Sequence, residues 1–175
     1  MIDTMQKKVY VLDASAIIGG FYSKNYANFT TSGAILEIKD LKSELLLRSA
    51  IENGHIKVDE PDPEDIAEIN QVITSSGDIL RLSDVDRCIV ALSFKFKRNG
   101  FKPIVVTDDY SMQNTLKTIR IDYQSVLTPG IKEIINWVKI CKGCKKRYPS
   151  DYKFEECEIC GSPIFRKRIK TIKNI

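Results

Sequence analysis

The sequence predicts an α/β domain, in which a parallel sheet is flanked by helices, followed by a small zinc ribbon. Two apolar, β-branched runs at residues 8–12 and 103–107 are separated by segments of helical periodicity, the pattern of parallel strands connected by helices. Two Cys-x-x-Cys pairs follow near the C-terminus, in a stretch too short to bury a core without a metal. The 175 residues therefore divide into a first domain at residues 1–130 and a linker, ribbon and basic tail at residues 131–175.

The predicted elements follow the apolar runs and the residues that cap helices. The run at 8–12 stops abruptly at Asp13, which indicates a buried parallel strand that ends at the acid. A helical pattern stops at Gly54, and Pro63 with its neighbouring acids opens the next helix. Predicted strands are 8–12, 55–58, 103–107 and 119–123; predicted helices are 14–18, one that starts near residue 30, 41–53, 63–75, 83–99 and one that runs from after 109 to 116; residues 124–130 are the predicted linker.

Four cysteines predict one structural zinc ion per chain. Cys141 and Cys144 form one pair and Cys157 and Cys160 the other, a separation that places four thiolates within tetrahedral reach of one Zn²⁺. Four thiolates leave no position for water, so this ion is expected to fold the module and to perform no chemistry. Two disulfides are the alternative. They are less favoured because no secretory signal is recognised and Cys88 remains as an odd thiol, which favours a reducing, cytoplasmic location.

Positive charge is concentrated in the C-terminal region. Residues 1–138 carry 16 Lys and Arg against 19 Asp and Glu, whereas residues 139–175 carry 11 against 4. A basic module of this kind attracts phosphates and so predicts RNA binding, although a solvated tail that aids solubility is the alternative. The candidate RNA-binding residues are Lys145, Lys146, Arg147, Arg166, Lys167, Arg168 and Lys170.

Several function classes are disfavoured by the composition. No apolar run approaches the roughly 20 residues of a membrane-spanning helix, so no membrane partner is expected. Neither GxxxxGK[ST] nor GxGxxG occurs, so no nucleotide cofactor is expected. His55 is the only histidine and is predicted to be structural or exposed, which largely excludes histidine general bases. Cys88 is predicted to be a buried core residue and not a nucleophile.

Carboxylates fall where a parallel sheet would bring them together. Asp13 follows the first strand, Asp108 and Asp109 follow the strand at 103–107, Asp86 lies in the first turn of a helix, and Glu37 lies on the helix that starts near residue 30. Crowded carboxylates repel one another unless a divalent cation neutralises them, and Mg²⁺ or Mn²⁺ prefers oxygen ligands. For each acid taken alone, the alternative is a helix cap or a solvated helix position.

In chain order, several segments resemble the motifs of PIN-domain ribonucleases. They are residues 9–16 (Val-Tyr-Val-Leu-Asp-Ala-Ser-Ala), Glu37, residues 82–86 (Leu-Ser-Asp-Val-Asp) with Ala91 and Leu92, and residues 106–114 (Val-Thr-Asp-Asp-Tyr-Ser-Met-Gln-Asn). A PIN domain that runs into a Cys-x-x-Cys ribbon resembles the "Nin one binding" endonuclease family of archaea and eukaryotes, here in its short archaeal form. The resemblance covers about residues 8–165, and its specificity lies in the order of the motifs together with the ribbon.

The resemblance implies a metal-dependent endonuclease that trims the 3′ end of precursor small-subunit ribosomal RNA. Its implied partners are the pre-ribosomal small subunit and the assembly factors of that subunit. It further implies that Asp13, Glu37, Asp86 and an acid of the Thr-Asp-Asp segment are the metal ligands. A mechanism that fits the residues without the family has Mg²⁺ or Mn²⁺ held by Asp13, Asp86 and Asp109, with Glu37 aiding a ligand or a bound water.

Two positions in this ligand set stay open. Asp109 matches the Thr-x-Asp pattern of PIN domains, while Asp108 occupies the neighbouring slot. Asp84 adds an acid beside Asp86 in the Leu-Ser-x-x-Asp segment. Either member of each pair is therefore a candidate ligand.

Two other functions fit the same residues. A toxin-type PIN ribonuclease would cut other RNAs, but such proteins usually lack a ribbon. A catalytically silent assembly factor would use the PIN fold and the ribbon only to bind RNA or ribosomal protein, and the complete acidic set disfavours it.

Overall fold

The structure is a computed structural model that describes residues 7–76, 82–127, 135–149 and 151–170. Within these ranges a five-stranded parallel sheet with helices precedes a three-stranded antiparallel sheet, which confirms the predicted α/β fold with a C-terminal ribbon. The helices are α1 (Ala14–Ile18), α2 (Ser32–Leu36), α3 (Leu41–Glu52), α4 (Pro63–Ser76), α5 (Asp84–Arg98) and α6 (Tyr110–Thr118). The strands are β1 (Lys8–Leu12), β2 (Ala27–Thr30), β3 (Ile56–Val58), β4 (Lys102–Val106), β5 (Asp122–Gln124), β6 (Ile135–Cys141), β7 (Arg147–Tyr148) and β8 (Ile164–Lys170).

The parallel sheet is buried on both faces. Its strand order, β3-β2-β1-β4-β5, puts β1 in the centre. Successive residues of β1 point to opposite faces: Val9 and Val11 join a core with α4, α5 and α6, whereas Tyr10 and Leu12 join a second core with α1 and α3. Burial on both sides explains why β1 is an unbroken apolar run and why it ends where Asp13 begins.

Helix boundaries follow local capping signals. Ser83 caps α5, and Gly54 adopts a left-handed φ of +72° just after α3, a conformation that glycine adopts without steric cost. Within the described ranges, none of the helices combines the length and the apolar composition needed to cross a membrane.

The structure adds one strand that the sequence pattern does not predict and moves the start of another. The sequence pattern did not predict β2, whose apolar signal is interrupted by the buried Asn28; its amide nitrogen donates to the carbonyls of Ser23 at 2.8 Å and His55 at 2.9 Å. The strand expected at 119–123 begins later, as β5. The N–H of Ile119 donates to the carbonyl of Thr115 at 3.1 Å and so prolongs the end of α6.

The predicted linker at 124–130 is described only in part. Gln124 belongs to β5 and is paired with Val106, so the linker begins after it. Residues 128–130, and with them the expected domain boundary at residue 130, lie outside the described ranges.

The ribbon sheet has the order β7-β6-β8, with β6 antiparallel to both neighbours. Cys141 ends β6 and is fully buried. A tight turn follows the second cysteine pair, where Gly161 has a φ of +66° and its N–H donates to the Cys157 carbonyl at 2.8 Å. This antiparallel hairpin and turn bring the two Cys-x-x-Cys pairs to one end of the sheet.

A buried carboxylate ties α4 to α5. Asp65 is 0 % exposed, and its Oδ2 accepts hydrogen bonds from Arg98 Nη2 at 3.2 Å and from the N–H of Asp62 at 3.3 Å. Its Oδ1 lies 3.2 Å from Arg98 Nη1 without hydrogen-bond geometry, so the ion pair with Arg98 compensates that oxygen electrostatically.

We predict that Arg98→Leu lowers the free energy of unfolding by about 2 kcal/mol, because it leaves a buried charge unpaired. Arg48→Leu is the matched control, since Arg48 pairs with Glu44 on an exposed surface and the expected change is about 0.5 kcal/mol or less. Urea unfolding of both variants measures the difference. Equal losses in the two variants would show that the Asp65 pair contributes no more than a surface pair.

Candidate active site and metal centre

The central strand pair brings the first acids together. β1 and β4 run parallel with Leu12 opposite Val106, so the residues that follow each strand emerge at the same sheet edge. The hydroxyl of Thr107 donates to Asp13 Oδ2 at 2.9 Å, and the N–H of Asp13 donates to the Val106 carbonyl at 3.1 Å. Asp13 and the Thr107–Asp109 turn therefore form one continuous polar edge.

Asp13 is a buried carboxylate held by hydrogen bonds from neutral groups. It is 6 % exposed; its Oδ1 accepts from the Ala14 N–H at 2.7 Å and its Oδ2 accepts from the Ser15 hydroxyl at 2.9 Å as well as from Thr107. Burial raises the pKa of Asp13, the bonds from Thr107, Ser15 and Ala14 oppose that shift, and the charge of Asp86 adds to it. No Lys or Arg is among these leading causes, and the three hydrogen-bond donors are neutral. Such a site favours an external cation.

Glu37 and Asp86 lie within electrostatic reach of Asp13. Glu37 is the C-cap residue of α2 and is exposed, and its pKa is raised by desolvation and then by the charges of Asp86 and Asp13. Asp86 stands in the first turn of α5, where its Oδ2 accepts the N–H of Ser83 at 3.0 Å. Three carboxylates from three different helices thus face one region at the sheet edge.

The two open pairs of acids differ in their surroundings. Asp109 caps α6, with its Oδ1 accepting the Met112 N–H at 2.6 Å. Both oxygens of Asp108 accept the Leu127 N–H at 3.1 Å, and its Oδ1 also accepts the Val126 N–H, so this carboxylate is directed at the segment after β5.

The carboxylate of Asp84 points to solvent. Its side chain is 93 % exposed and pairs with Arg87 at 3.0 Å. Asp86 is the less exposed acid of that turn, and its charge acts on Asp13 and Glu37.

Three of these acids also cap helices, as the alternative interpretation predicts, and they remain at the same edge of the sheet. Asp13, Asp86 and Asp109 each accept a backbone N–H at the start of a helix. Within the described ranges, only the four cysteines bring three or more ligand atoms within 4.8 Å of one another, so no three carboxylates are that close. Mg²⁺ in proteins keeps several waters and takes only one or two carboxylates, so the acids present fit a hydrated hard cation.

The cysteines form the one compact ligand group among the described residues, and the cluster is consistent with a zinc ribbon. Cys141 Sγ lies 3.4 Å from Cys160 Sγ, and Cys144 Sγ lies 3.5 Å from Cys157 Sγ. Tetrahedral Zn–S bonds of ~2.3 Å require S–S separations of about 3.8 Å, so small adjustments suffice for one Zn²⁺.

Polar groups favour the thiolate forms of Cys157 and Cys160. The backbone hydrogen bond from Lys146 lowers the pKa of Cys144, but desolvation and hydrogen bonds to the other three sulfurs outweigh it and raise that pKa to about 11. The Gly143 N–H donates to Cys141 Sγ at 3.3 Å, and the Tyr148 hydroxyl lies 3.0 Å from Cys157 Sγ. Hydrogen bonds from the side chain and backbone of Ser162 lower the pKa of Cys160 to about 5, and the bond to Tyr148 lowers the pKa of Cys157. Thiolates are the form that binds zinc.

The candidate RNA-binding cations of the ribbon fall into two groups. Lys145, Arg147, Lys167 and Arg168 are exposed. Lys146 forms an ion pair with Glu158 and lies over the Tyr148 ring, and Arg166 lies 5.1 Å from the centre of the Trp137 ring. The side chain of Lys170 lies outside those that the structure describes.

The structure corrects the predicted burial of one cysteine and adds two hydroxyl residues that the sequence analysis does not assign to the site. Cys88 is half-buried and lies outside both cores of the parallel sheet, so the prediction of a core cysteine was wrong; burial raises the pKa of its thiol. Ser15 and Thr107 were not singled out, although both hold the carboxylate of Asp13. The available signal was a hydroxyl residue beside an acid at each strand end.

The first domain is a PIN domain. Residues 10–96 match the family model "PIN domain of ribonuclease", in agreement with the parallel sheet and its acid-lined edge. Asp13, Glu37 and Asp86 lie inside the matched range. The chain is 44 % identical to "Endoribonuclease Nob1" of Methanothermobacter thermautotrophicus over 95 % of its own length and 97 % of that relative. It is 38 % identical to "Endoribonuclease Nob1" of Methanocaldococcus jannaschii, covering 94 % of this chain and 80 % of the relative, and 34 % identical to that of Archaeoglobus fulgidus, covering 95 % of each.

The chain belongs to the family of archaeal Nob1 endoribonucleases. The matched lengths include the cysteine pairs as well as the PIN domain, which a match to the PIN domain alone would not do.

We predict that Gly143→Ala weakens zinc binding by about 10- to 100-fold, the usual effect of disturbing the groups around metal ligands. An added Cβ would lie 2.5 Å from Ser162 Oγ and 3.3 Å from Cys160 Sγ, so the Ser162 hydroxyl, which hydrogen-bonds Cys160, must move. Chelator competition measures the affinity, and Lys142→Ala at the neighbouring exposed position is the control. A folded, reduced parent protein without one equivalent of zinc would contradict the assignment of the site.

Proposed function

We propose that this protein is a divalent-metal-dependent endoribonuclease that processes the 3′ end of precursor small-subunit ribosomal RNA during ribosome maturation. The observation that carries the proposal is the buried Asp13 carboxylate, which has only neutral hydrogen-bond donors and lies in the reach of Glu37 and Asp86. Membership in the Nob1 endoribonuclease family supports RNA cleavage as the use of that site. The proposed partners are the precursor RNA, the pre-ribosomal small subunit and its assembly factors, in the cytoplasm.

The proposed metal residues are Asp13, Asp86 and Asp109, which would hold Mg²⁺ or Mn²⁺ directly or through its waters, with Glu37 orienting a bound water. When bound, such an ion lowers the pKa of a coordinated water and neutralises charge on phosphodiester oxygens. Ser15 and Thr107 hold the Asp13 oxygens in place, and Thr107 also accepts the Asp109 N–H at 3.1 Å. These hydroxyls couple the positions of two proposed ligands.

The geometry favours one member of each open pair. Asp108 uses both carboxylate oxygens on the backbone after β5, whereas Asp109 uses only one oxygen on its helix. Asp84 is nearly fully exposed, whereas the charge of Asp86 acts on Asp13. We therefore assign Asp109 and Asp86 to the metal site, Asp108 to the support of the following segment, and Asp84 to the surface.

A PIN-fold RNA-binding factor without catalysis is the second candidate. It is favoured by the capping bonds of Asp13, Asp86 and Asp109, each of which gives the acid a structural role that needs no metal. Cleavage by variants of these acids separates the two functions. The toxin-type ribonuclease is less favoured because the Nob1 relatives reach 44 % identity along nearly the whole chain, whereas "Ribonuclease VapC1" of Thermoplasma acidophilum, which matches a similar share of it, is 29 % identical.

We predict that Asp13→Asn and Asp86→Asn each reduce manganese-dependent cleavage of a small-subunit RNA 3′-end fragment by more than about 100-fold, since loss of a ligand exceeds the usual effect of outer-shell partners. Unfolding free energies should change by about 1 kcal/mol or less, because asparagine keeps the capping carbonyl. RNA affinity should be nearly unchanged.

Asp84→Asn is the matched control for this experiment, because it removes an equal charge from the same helical turn at an exposed position. It should cleave as the parent does. Parental cleavage by both the Asp13 and Asp86 variants, with only a stability loss, would assign these acids to helix capping and support the non-catalytic alternative.

We also predict that the triple variant Arg147→Gln, Lys167→Gln and Arg168→Gln binds single-stranded RNA with a shallower salt dependence. Three fewer cations should reduce the slope of log K against log salt by about 2, at ~0.7 per neutralised phosphate. Titrations at several salt concentrations measure the slope. A triple variant with three exposed cations removed from the first domain, at Lys24, Lys42 and Lys57, is the control. An equal drop of the slope in both variants would show that the ribbon cations contribute no more to RNA binding than other surface cations.

A further inference from the structure

Phe165 is an exposed aromatic residue on the ribbon. It lies in β8 with 43 % of its surface exposed, although phenylalanine is usually buried. Its ring has no aromatic or cationic contact among the described residues, whereas Tyr152 and Phe154 pack against each other with ring centres 5.5 Å apart. The exposed part of the Phe165 ring is therefore accessible to a flat partner from outside the chain.

Two lysines share a surface depression with this ring. Lys142, Lys145, Pro163 and Phe165 line a shallow depression of about 430 Å³. Lys145 folds back so that its Nζ donates to the Lys142 carbonyl at 2.7 Å, and both lysines are exposed. The depression thus joins an apolar floor to a cationic rim, and none of its lining residues is acidic.

The strand register adds two further cations on the same face. Phe165 and Arg147 are both directly opposite Ile140, on either side of β6, so the three side chains share one face of the sheet. Lys167 lies two residues beyond Phe165 in β8 and returns to that face. An exposed ring flanked by cations on three strands or loops is complementary in charge to a polyanion.

We propose, on the basis of the RNA-directed function above, that this depression is a stacking site for one unpaired nucleobase of the RNA, with Phe165 as the platform and Lys142 and Lys145 on the adjacent phosphates. Aromatic rings accept any base through its π-face, while lysines recognise the backbone. Paired bases present no free face, so the site favours single-stranded over duplex RNA. The ribbon then contributes strand selection in addition to charge.

The test uses the full-length zinc-loaded protein with a single-stranded RNA decamer and a blunt duplex of the same length. Phe165→Ala should weaken binding of the single strand about tenfold, the loss expected for one stacked base, and leave the duplex affinity little changed. The salt slope should stay at the parent value because no charge is removed. The double variant Lys142→Ala, Lys145→Ala should instead reduce the slope by about 1.4, at ~0.7 per phosphate.

Phe154→Ala is the matched control, because Phe154 is 70 % exposed on the same ribbon but lies beside Glu155 and Glu156. It should bind both RNAs as the parent does. Unchanged single-strand affinity in Phe165→Ala, an equal loss for duplex, or a reduced salt slope would overturn the stacking site. Zinc content and thermal unfolding of each variant identify any loss that comes from the fold.

Phe165→Trp provides a second readout that does not depend on truncating the ring. Stacked bases quench tryptophan emission, so adding the decamer should quench this variant more than the parent, which contains only Trp137. Equal quenching would overturn the proposal. The proposal would also be overturned if a poly-glutamate peptide binds in a way that requires Phe165 while RNA binding does not require it. That result would assign the site to a protein partner.

The outcome is separable from that of the proposed nuclease function. Cleavage lost in Asp13→Asn with unchanged RNA binding in Phe165→Ala would retain the nuclease and remove only the stacking site. A parent protein that binds neither RNA would overturn the stacking site, whereas a parent that does not cut the small-subunit 3′-end fragment with Mn²⁺ would overturn the nuclease function.

Discussion

Parallel pairing of β1 with β4 is the constraint on which the candidate active site depends. Because Leu12 lies opposite Val106, the chain leaves both strands at the same level, and Thr107 reaches Asp13 directly. The hydrophobic cores on the two faces of the sheet hold this register, since a one-residue slip would turn Val9 and Val11 to the wrong core. The position of a polar carboxylate is therefore set by apolar packing several residues away.

The acids at the sheet edge combine a structural and a chemical role. Asp13, Asp86 and Asp109 each accept a helix N–H with one oxygen, which satisfies a helix start and fixes the side-chain orientation. Asp86 and Asp109 use one oxygen each in these bonds, whereas Asp13 Oδ2 also accepts hydrogen bonds from Ser15 and Thr107 and would bind a cation beside them. A cap thus supplies the positioning that a metal ligand otherwise needs from separate groups. Asp13 is the buried member of the set and has only neutral hydrogen-bond donors, so its charge has the strongest need of an external cation.

The ribbon follows a different physical rule from the parallel domain. Its buried cluster consists of Cys141, Tyr148 and Cys157, with Tyr152 and Ile164 packed against it, which is too small a core to hold a sheet by hydrophobic burial alone. The cysteine cluster replaces the missing core, and that leaves most of the surface free for charged residues and for the exposed Phe165. A module held in this way can be strongly basic without loss of its fold.

The sequence by itself determined the features that depend on local signals: the apolar runs of β1 and β4, the capping residues of α5 and α6, and the spacing of the cysteine pairs. Tertiary structure alone decided the polar strand β2, the half-buried position of Cys88, the attachment of Asp108 to the Val126 and Leu127 amides, and the pairing of Lys146 with Glu158. The physical reason is separation along the chain. Thr107 and Asp13 are 94 residues apart, and no local pattern specifies which hydroxyl, amide or charge the folded sheet will place beside a given carboxylate.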